Sequence, residues 1–258
     1  MSLVGLLLSL SALMRSRGRL RGMVSGNESW IPDELGTAGR ENLDEEHVAR
    51  YDDKEHGAAA EEVAMLLAVG LPSDPTVIDL GAGTGQFTLA VAPHARRVVA
   101  VDVSRPMLDQ LRAKLDRSGV ENVECVQAGF LTYEHVGDLA DLVYSRYALH
   151  HLPDFWKAVA LTRLAAMIRP GGILRLWDVV YAFDPLEAGT VLERWFEGYA
   201  SDGVDQGWTR GELEEHVRDE HSTFTWLLEP MIQRAGFVIE HARYSDDQIS
   251  AQYLCRRN

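Results

Sequence analysis

The sequence predicts an α/β protein in which a mostly parallel sheet carries helices on both faces, and three observations predict it. From residue 57 onward, short apolar, β-branched runs alternate with longer stretches of helical spacing. The first run, Thr76-Val77-Ile78-Asp79-Leu80, stops at Gly81, Gly83 and Gly85, and helix formers follow from Phe87. The second, Arg97 to Val103, carries Asp102 about 20 residues beyond the glycines, the separation of one strand-helix-strand unit.

A strand, a tight turn and a helix start place backbone N–H groups at the mouth of a parallel sheet, where ligands of such folds bind. Glycines there let a ligand approach the main chain and permit positive φ. A dinucleotide fingerprint needs its third glycine at position 86, which is Gln86; here it is Gly85. Asp79, just ahead of the turn, is awkward for a pyrophosphate and suits a cationic amino-acid head group. With these residues the stretch resembles the first motif of class I S-adenosylmethionine-dependent methyltransferases: an acid, one residue, then Gly-x-Gly-x-Gly. The resemblance implies S-adenosyl-L-methionine as cofactor, with Asp79, Gly81, Gly83 and Gly85 in its site. It also implies the Rossmann-like class I methyltransferase fold, a seven-stranded, mostly parallel sheet whose last strand is antiparallel.

Composition bounds the rest. The chain has 258 residues, 46% hydrophobic and 25% charged, ordinary for a globular protein with a sizeable core. A formal charge of -14 argues against general nucleic-acid binding, which needs clustered Lys and Arg. Cys125 and Cys255 lie in strand-like surroundings without metal-ligand spacing and read as reduced core residues of a cytoplasmic protein.

Residues 1–27 read as a disordered or spurious extension outside the fold. Leu3 to Met14 is apolar, and Arg15, Arg17, Arg19 and Arg21 follow it, the reverse of a secretory signal. The run is also shorter than the roughly 20 residues of a membrane span. A membrane-surface or organellar targeting helix and an upstream stretch with the start at Met23 both remain open. Residues 28–56 turn polar and acidic and read as a lid segment, with His47, Arg50 and Tyr51 on a short helix; Tyr51 is similar in placement to a lid aromatic of the family. By the same resemblance, residues 57–258 are expected to form the methyltransferase domain.

Within that domain the elements follow in order. Gly57 to Val69 is an amphipathic helix, ended by Leu71-Pro72-Ser73-Asp74-Pro75, which feeds the first strand. Gln86 to Ala92 is helical. At the end of the second strand, Asp102 can accept from two adjacent ribose hydroxyls, while Ser104 caps the next helix with Pro106 in its first turn. Asn122 to Gln127 is the third strand. The family often has an acid after it that accepts from the adenine amino group; Gly129 stands there, so recognition falls to Phe130 or to a residue elsewhere.

Asp138 to Tyr144 is the fourth strand and opens into Ser145-Arg146-Tyr147-Ala148-Leu149-His150-His151-Leu152-Pro153-Asp154. The resemblance makes this the place where the acceptor meets the cofactor, with Ser145 on the cofactor side. An oxygen or carbon acceptor can need a base, and histidine suits that role near neutral pH. His150 and His151 are the candidates, with Tyr147, Arg146 and Asp178 to orient an acceptor. Adjacent helical residues point about 100° apart, so the two histidines do different jobs. A helix from Pro153 to Ile168 and the turn Arg169-Pro170-Gly171-Gly172 lead to the fifth strand, Ile173 to Val180.

A helical insertion, 181–222, carries Trp195, Phe196, Tyr199 and Trp208, which line an acceptor pocket or pack a core. Glu215, His216, Glu220 and His221 lack the usual spacing of a tetrahedral metal set and read as a solvated helix end, so no metal is expected. A helix from Phe224 to Ala235, with a boundary or kink at Pro230, and two strands, Phe237 to Tyr244 and Ser250 to Arg256, close the domain. The expected function is methyl transfer to a small organic acceptor, oxygen favoured over nitrogen or carbon. Methylation of protein or RNA, and a catalytically inactive cofactor-binding partner or sensor, are the alternatives.

Overall fold

The structure is a computed structural model and describes residues 29–38, residue 48, and residues 59–201 and 207–258. His47, Arg50 and Tyr51 lie outside the described residues.

The elements alternate as the residue pattern requires. Helices α1 (Glu34–Thr37) and α2 (Ala59–Ala68) precede strand β1 (Thr76–Leu80) and helix α3 (Gln86–Val91). Strand β2 (Arg97–Asp102), helix α4 (Arg105–Ser118) and strands β3 (Val123–Gln127) and β4 (Ala140–Arg146) follow. Helix α5 (Asp154–Met167) then leads into β5 (Ile168–Tyr181). The insertion holds α6 (Ala188–Tyr199) and α7 (Arg210–Asp219); β6 (Thr223–Phe224), α8 (Thr225–Arg234), β7 (Phe237–Tyr244) and β8 (Ser250–Arg257) complete the described chain.

The sheet order is β3-β2-β1-β4-β5-β8-β7, with the two-residue β6 pairing the far end of β5. Strands β1 to β5 pair in parallel, and β8 runs antiparallel to both neighbours. The seven-stranded expectation therefore describes the main sheet, and β6 is an addition at its rim. The central strands are buried on both faces: Val77, Ile78, Val98, Leu142 and Val143 are fully covered, with helices on either side.

Local chemistry sets several boundaries. Ser104 accepts from the Met107 N–H at the start of α4, and Thr209 forms a reciprocal capping box with Glu212 at the start of α7. Pro230 sits inside α8 rather than ending it. The expected turn at residues 169–172 is instead a bulge within one long strand: Ile168 pairs with Ala140, Ile173 pairs with Leu142, and the residues between bow outward. Asp141 pins this bulge, accepting from Arg169 Nε at 2.6 Å and from the Thr76 N–H at 2.8 Å.

The insertion has its own core. Val191, Trp195, Phe196 and Leu213 pack with Val179, Tyr181, Phe183 and Ile249, so burial explains Trp195 and Phe196. Tyr199 is exposed and Trp208 packs at the edge of the same cluster. Among the described residues, no helix is long and apolar enough to cross a membrane.

Candidate active site

The strand order reverses between β1 and its neighbours β2 and β4, and a crevice opens at the carboxyl ends of these strands, the usual switch-point location. Leu80, Gly81, Gly83, Asp102, Val103 and Met107 form one wall. Ala128, Gly129 and Phe130 form the floor, Arg146, Tyr147, Ala148, His151 and Leu152 the opposite wall, and Glu34, Thr37 and Ala38 the cover.

The glycine turn brings bare backbone to this crevice. Gly81 has φ +78°, and a Cβ there would lie 2.4 Å from the Ala148 Cβ, so the turn and the β4 exit fit only without a side chain. Gly85 has φ +84° and would drive a Cβ to 2.1 Å from Leu111 Cδ1; its role is to seat α3 on α4, and it does not line the crevice. Between them, the Gly83 N–H donates to Asp102 Oδ2 at 2.8 Å. Space beyond Gly83 is open, with Met107 Sδ the nearest atom at 4.0 Å from a built Cβ.

Asp102 is held from two sides, since its Oδ1 also accepts from the Ser104 N–H at 2.8 Å. Burial pushes its carboxyl up, against the pull of these amides. Each oxygen keeps a lone pair for a further donor. Asp79 lies beneath the loop, buried, with Oδ2 accepting from the Thr88 hydroxyl at 2.6 Å, and it does not line the crevice. Burial raises its carboxyl to about 7, opposed by the Thr88 hydroxyl and aided by the charge of Asp102. Ser145 is likewise buried away from the crevice, its hydroxyl without a hydrogen-bond partner among the described residues.

Gly129 meets a carboxylate from an unexpected source. Glu34, at the first turn of α1, is buried against it, and a Cβ built on Gly129 would sit 2.4 Å from Glu34 Oε1. Both Glu34 oxygens lie 3.1 Å from the Leu131 N–H, and Oε2 accepts from the Thr132 hydroxyl at 3.1 Å. Burial raises the Glu34 carboxyl, while these donors favour its charged form. An aspartate at position 129 would reach the same amides two and three residues on, as an N-cap does. Trp30 stacked on Trp156, with ring centroids 5.8 Å apart, helps hold this segment over the crevice.

The two histidines separate, as the angular argument requires. His150 is buried outside the crevice, its Nδ1 on the Asp178 carboxylate and its Nε2 3.0 Å from Glu220 Oε2. Burial alone would depress it, but the Asp178 and Glu220 carboxylates outweigh burial and raise it to about 10. Asp178 also accepts from the His150 and Val179 N–H groups, so it positions His150 and does not face an acceptor. His151 lines the crevice, and its buried Nδ1 has no hydrogen-bond partner among the described residues. Burial and then the neighbouring His150 cation lower it to about 3, so its ring is neutral.

Tyr147 joins His151 on this wall with φ +50°, a conformation unusual for a residue with a side chain, fixed by its N–H donating to the Trp177 carbonyl at 2.8 Å. The Arg146 guanidinium lies over the Trp177 ring, 4.4 Å from its centroid. None of Trp195, Phe196, Tyr199 and Trp208 lines the crevice. Sequence reasoning missed Glu34, for which the only signal is the missing acid at Gly129. It also missed that His216 and Glu220 turn inward onto His150, with side chains only 16% and 12% exposed, where a solvated helix end was expected.

Comparison with known proteins agrees with this geometry. A methyltransferase-domain family model matches residues 77–172, the span from β1 to the bulge in β5. The uncharacterized methyltransferase YcgJ of Bacillus subtilis is 28% identical over 137 residues, 53% of this chain and 53% of that protein, so the match spans about half the length of that relative. The N-methyltransferase NodS of Bradyrhizobium japonicum, solved with S-adenosyl-L-homocysteine, shares the fold with a TM-score of 0.57 at 17% identity, covering 88% of this chain and 99% of its own. The [4+2]-cyclase SpnF shares it with a TM-score of 0.63 at 12% identity, covering 88% and 97%. With its glycine turn, its sheet order and the matched domain, the chain is similar to the class I S-adenosylmethionine-dependent methyltransferases, and residues 77–172 carry that likeness.

Proposed function

We propose that this chain transfers the methyl group of S-adenosylmethionine to an oxygen of a small organic acceptor. The observation that carries the reading is the crevice, with bare backbone and Asp102 on one side and His151 and Tyr147 on the other. When bound, the cofactor supplies a methyl on a sulfonium, and its in-line transfer needs alignment more than covalent help. The residues present fit such a ligand. Gly83 leaves room for its amino-acid end, Asp102 has acceptor capacity for two ribose hydroxyls, and Glu34 offers the carboxylate for the adenine amino group that Gly129 lacks. Glu34, Thr37 and Ala38 cover one end of the site.

On the acceptor side, His151 takes the proton. Its neutral ring lines the crevice with the buried Nδ1 turned toward Glu220, 4.0 Å away, which leaves Nε2 to accept from a hydroxyl as that oxygen becomes alkylated. His150 and Tyr147 hold that wall in place. The acid groups at the crevice, Glu34 and Asp102, and the formal charge of -14 favour a small acceptor over nucleic acid.

Turnover of isotopically labelled cofactor against a panel of phenols, alcohols and carboxylic acids tests the reading. His151→Ala is expected to lower kcat by about 10²–10⁴-fold while cofactor affinity holds. Unchanged kcat removes His151 from the mechanism, and label appearing only on protein or RNA replaces the small acceptor.

Asp79 adds a pH dependence. Below about pH 7 its carboxyl is protonated in the ligand-free protein, and a cation in the adjoining crevice favours the ionised form. Affinity for the cationic cofactor therefore falls as pH drops through about 7, and binding there releases a proton. Calorimetry in buffers of different ionisation heats measures both, and Asp79→Asn is expected to flatten the dependence.

A further inference from the structure

Outside the crevice, the described residues hold one cluster in which three possible metal-ligand atoms lie within 4.8 Å of one another: those of His150, His216 and Glu220. Three features of the cluster point to an ion. The first is convergence from two elements. His216 and Glu220 are four residues apart at the end of α7 and so share a helix face, while His150 sits in the short turn after β4. Glu220 Oε2 lies 2.5 Å from His216 Nδ1, 3.0 Å from His150 Nε2 and 4.0 Å from His151 Nδ1.

The second feature is how the rings are held. Each imidazole has one nitrogen fixed by an oxygen and the other turned toward the common point. His150 Nδ1 is on the Asp178 carboxylate, which its own N–H also holds at 3.1 Å, and His216 Nε2 is 3.1 Å from the Ser222 hydroxyl. Carboxylates and hydroxyls behind ligating histidines serve this purpose in metal sites, fixing the ring and its tautomer. The third feature is a pair of buried polar atoms, Glu220 Oε2 and His151 Nδ1, that have no hydrogen-bond partner of acceptable geometry. Such atoms in a well-packed protein require an explanation. Glu220 Oε2 lies 2.5 Å from His216 Nδ1 and 3.0 Å from His150 Nε2, so the three groups face one point.

We propose that His150, His216 and Glu220 bind one divalent first-row transition-metal ion, Zn²⁺ by its preference for such donors, with a water at the open position. Two imidazoles and a carboxylate, without thiolate, suit such an ion. With bonds of about 2.1 Å, ligand atoms of a tetrahedral site lie about 3.4 Å apart, so Glu220 Oε2, at 3.0 Å from His150 Nε2 and 2.5 Å from His216 Nδ1, moves outward by under about 1 Å to admit the ion. The ion clasps the insertion to the turn after β4, beside the backbone contact from the His221 N–H to the His150 carbonyl at 3.0 Å. It also lies directly behind His151, so it fixes the wall of the crevice. Metal binding here does not depend on the methyl-transfer reading.

The test uses the full chain without an affinity tag, stripped with a chelator and dialysed. Titration with Zn²⁺ by calorimetry, and with Co²⁺ by visible absorption, is expected to show saturable uptake of one ion per chain and a higher melting temperature. His216→Ala and Glu220→Gln are expected to abolish that uptake, and Asp178→Asn to weaken it by about 10–100-fold. Ser222→Ala, a milder change, is expected to weaken it while leaving the fold intact. Absence of saturable uptake by the native chain overturns the proposal, as does uptake unchanged in His216→Ala. The contacts of His150 with Asp178 and Glu220, and of His216 with Glu220, would then account for the cluster.

Discussion

Asp102→Ala lowers the affinity for S-adenosylhomocysteine by about 1–3 kcal/mol, roughly 5–150-fold. Two losses add. The ribose loses its acceptor, and the Gly83 and Ser104 N–H groups, both now on this carboxylate at 2.8 Å, lose theirs. The second loss loosens the glycine turn that the ligand must approach. Asp102→Asn keeps the shape but presents an amide N–H₂ toward one of two backbone donors, so it is also expected to bind weakly. Calorimetric titration of each purified variant measures the change. Wild-type affinity in Asp102→Ala would take this residue out of the site.

Glu34→Ala weakens the same ligand by about 1–3 kcal/mol, and Gly129→Asp in that background restores most of the loss. The first change removes the acceptor facing the expected adenine position and leaves the Leu131 N–H and the Thr132 hydroxyl unanswered. In the native chain an added Cβ at residue 129 would meet the Glu34 carboxylate at 2.4 to 2.6 Å, so the two acids compete for one place. Once Glu34 is shortened, the place is vacant and an aspartate can reach the same amides locally. Gly129→Asp alone is therefore expected to bind worse than native, from like-charge repulsion in a buried setting. Titrating all three variants closes the cycle; a double variant no better than Glu34→Ala would show that Glu34 acts only on the fold.

Much of this was legible because it is local. The β1 run, the three glycines and Asp102 all fall within one strand-helix-strand unit, where spacing alone fixes relative position. Ser104 and Thr209 announce helix starts by residue type, and both cap as expected. What was illegible depends on docking. Glu34 meets Leu131 from 97 residues away in the chain, and no periodicity in its own four-residue helix says which amides it meets. His216 and Glu220 share a helix face in any reading, but whether that face meets water or His150 is decided by where α7 lands. The bulge at residues 169–172 is similar: its Pro-Gly-Gly composition marks a turn, and only the pairing of Ile168 with Ala140 keeps the strand continuous through it.

Strand β8 lies between β5 and β7 and contacts both along nearly its whole length. During synthesis, β5 leaves the ribosome with one long flank unpaired and must wait for β8, with Leu174 and Leu176 still lacking the cover of Cys255 and Tyr253. Such a flank is an open template for a neighbouring nascent chain. Crowded translation of this protein is thus most vulnerable in the interval between those two strands, and a chaperone that masks β5 would serve its yield more than one acting on any helix.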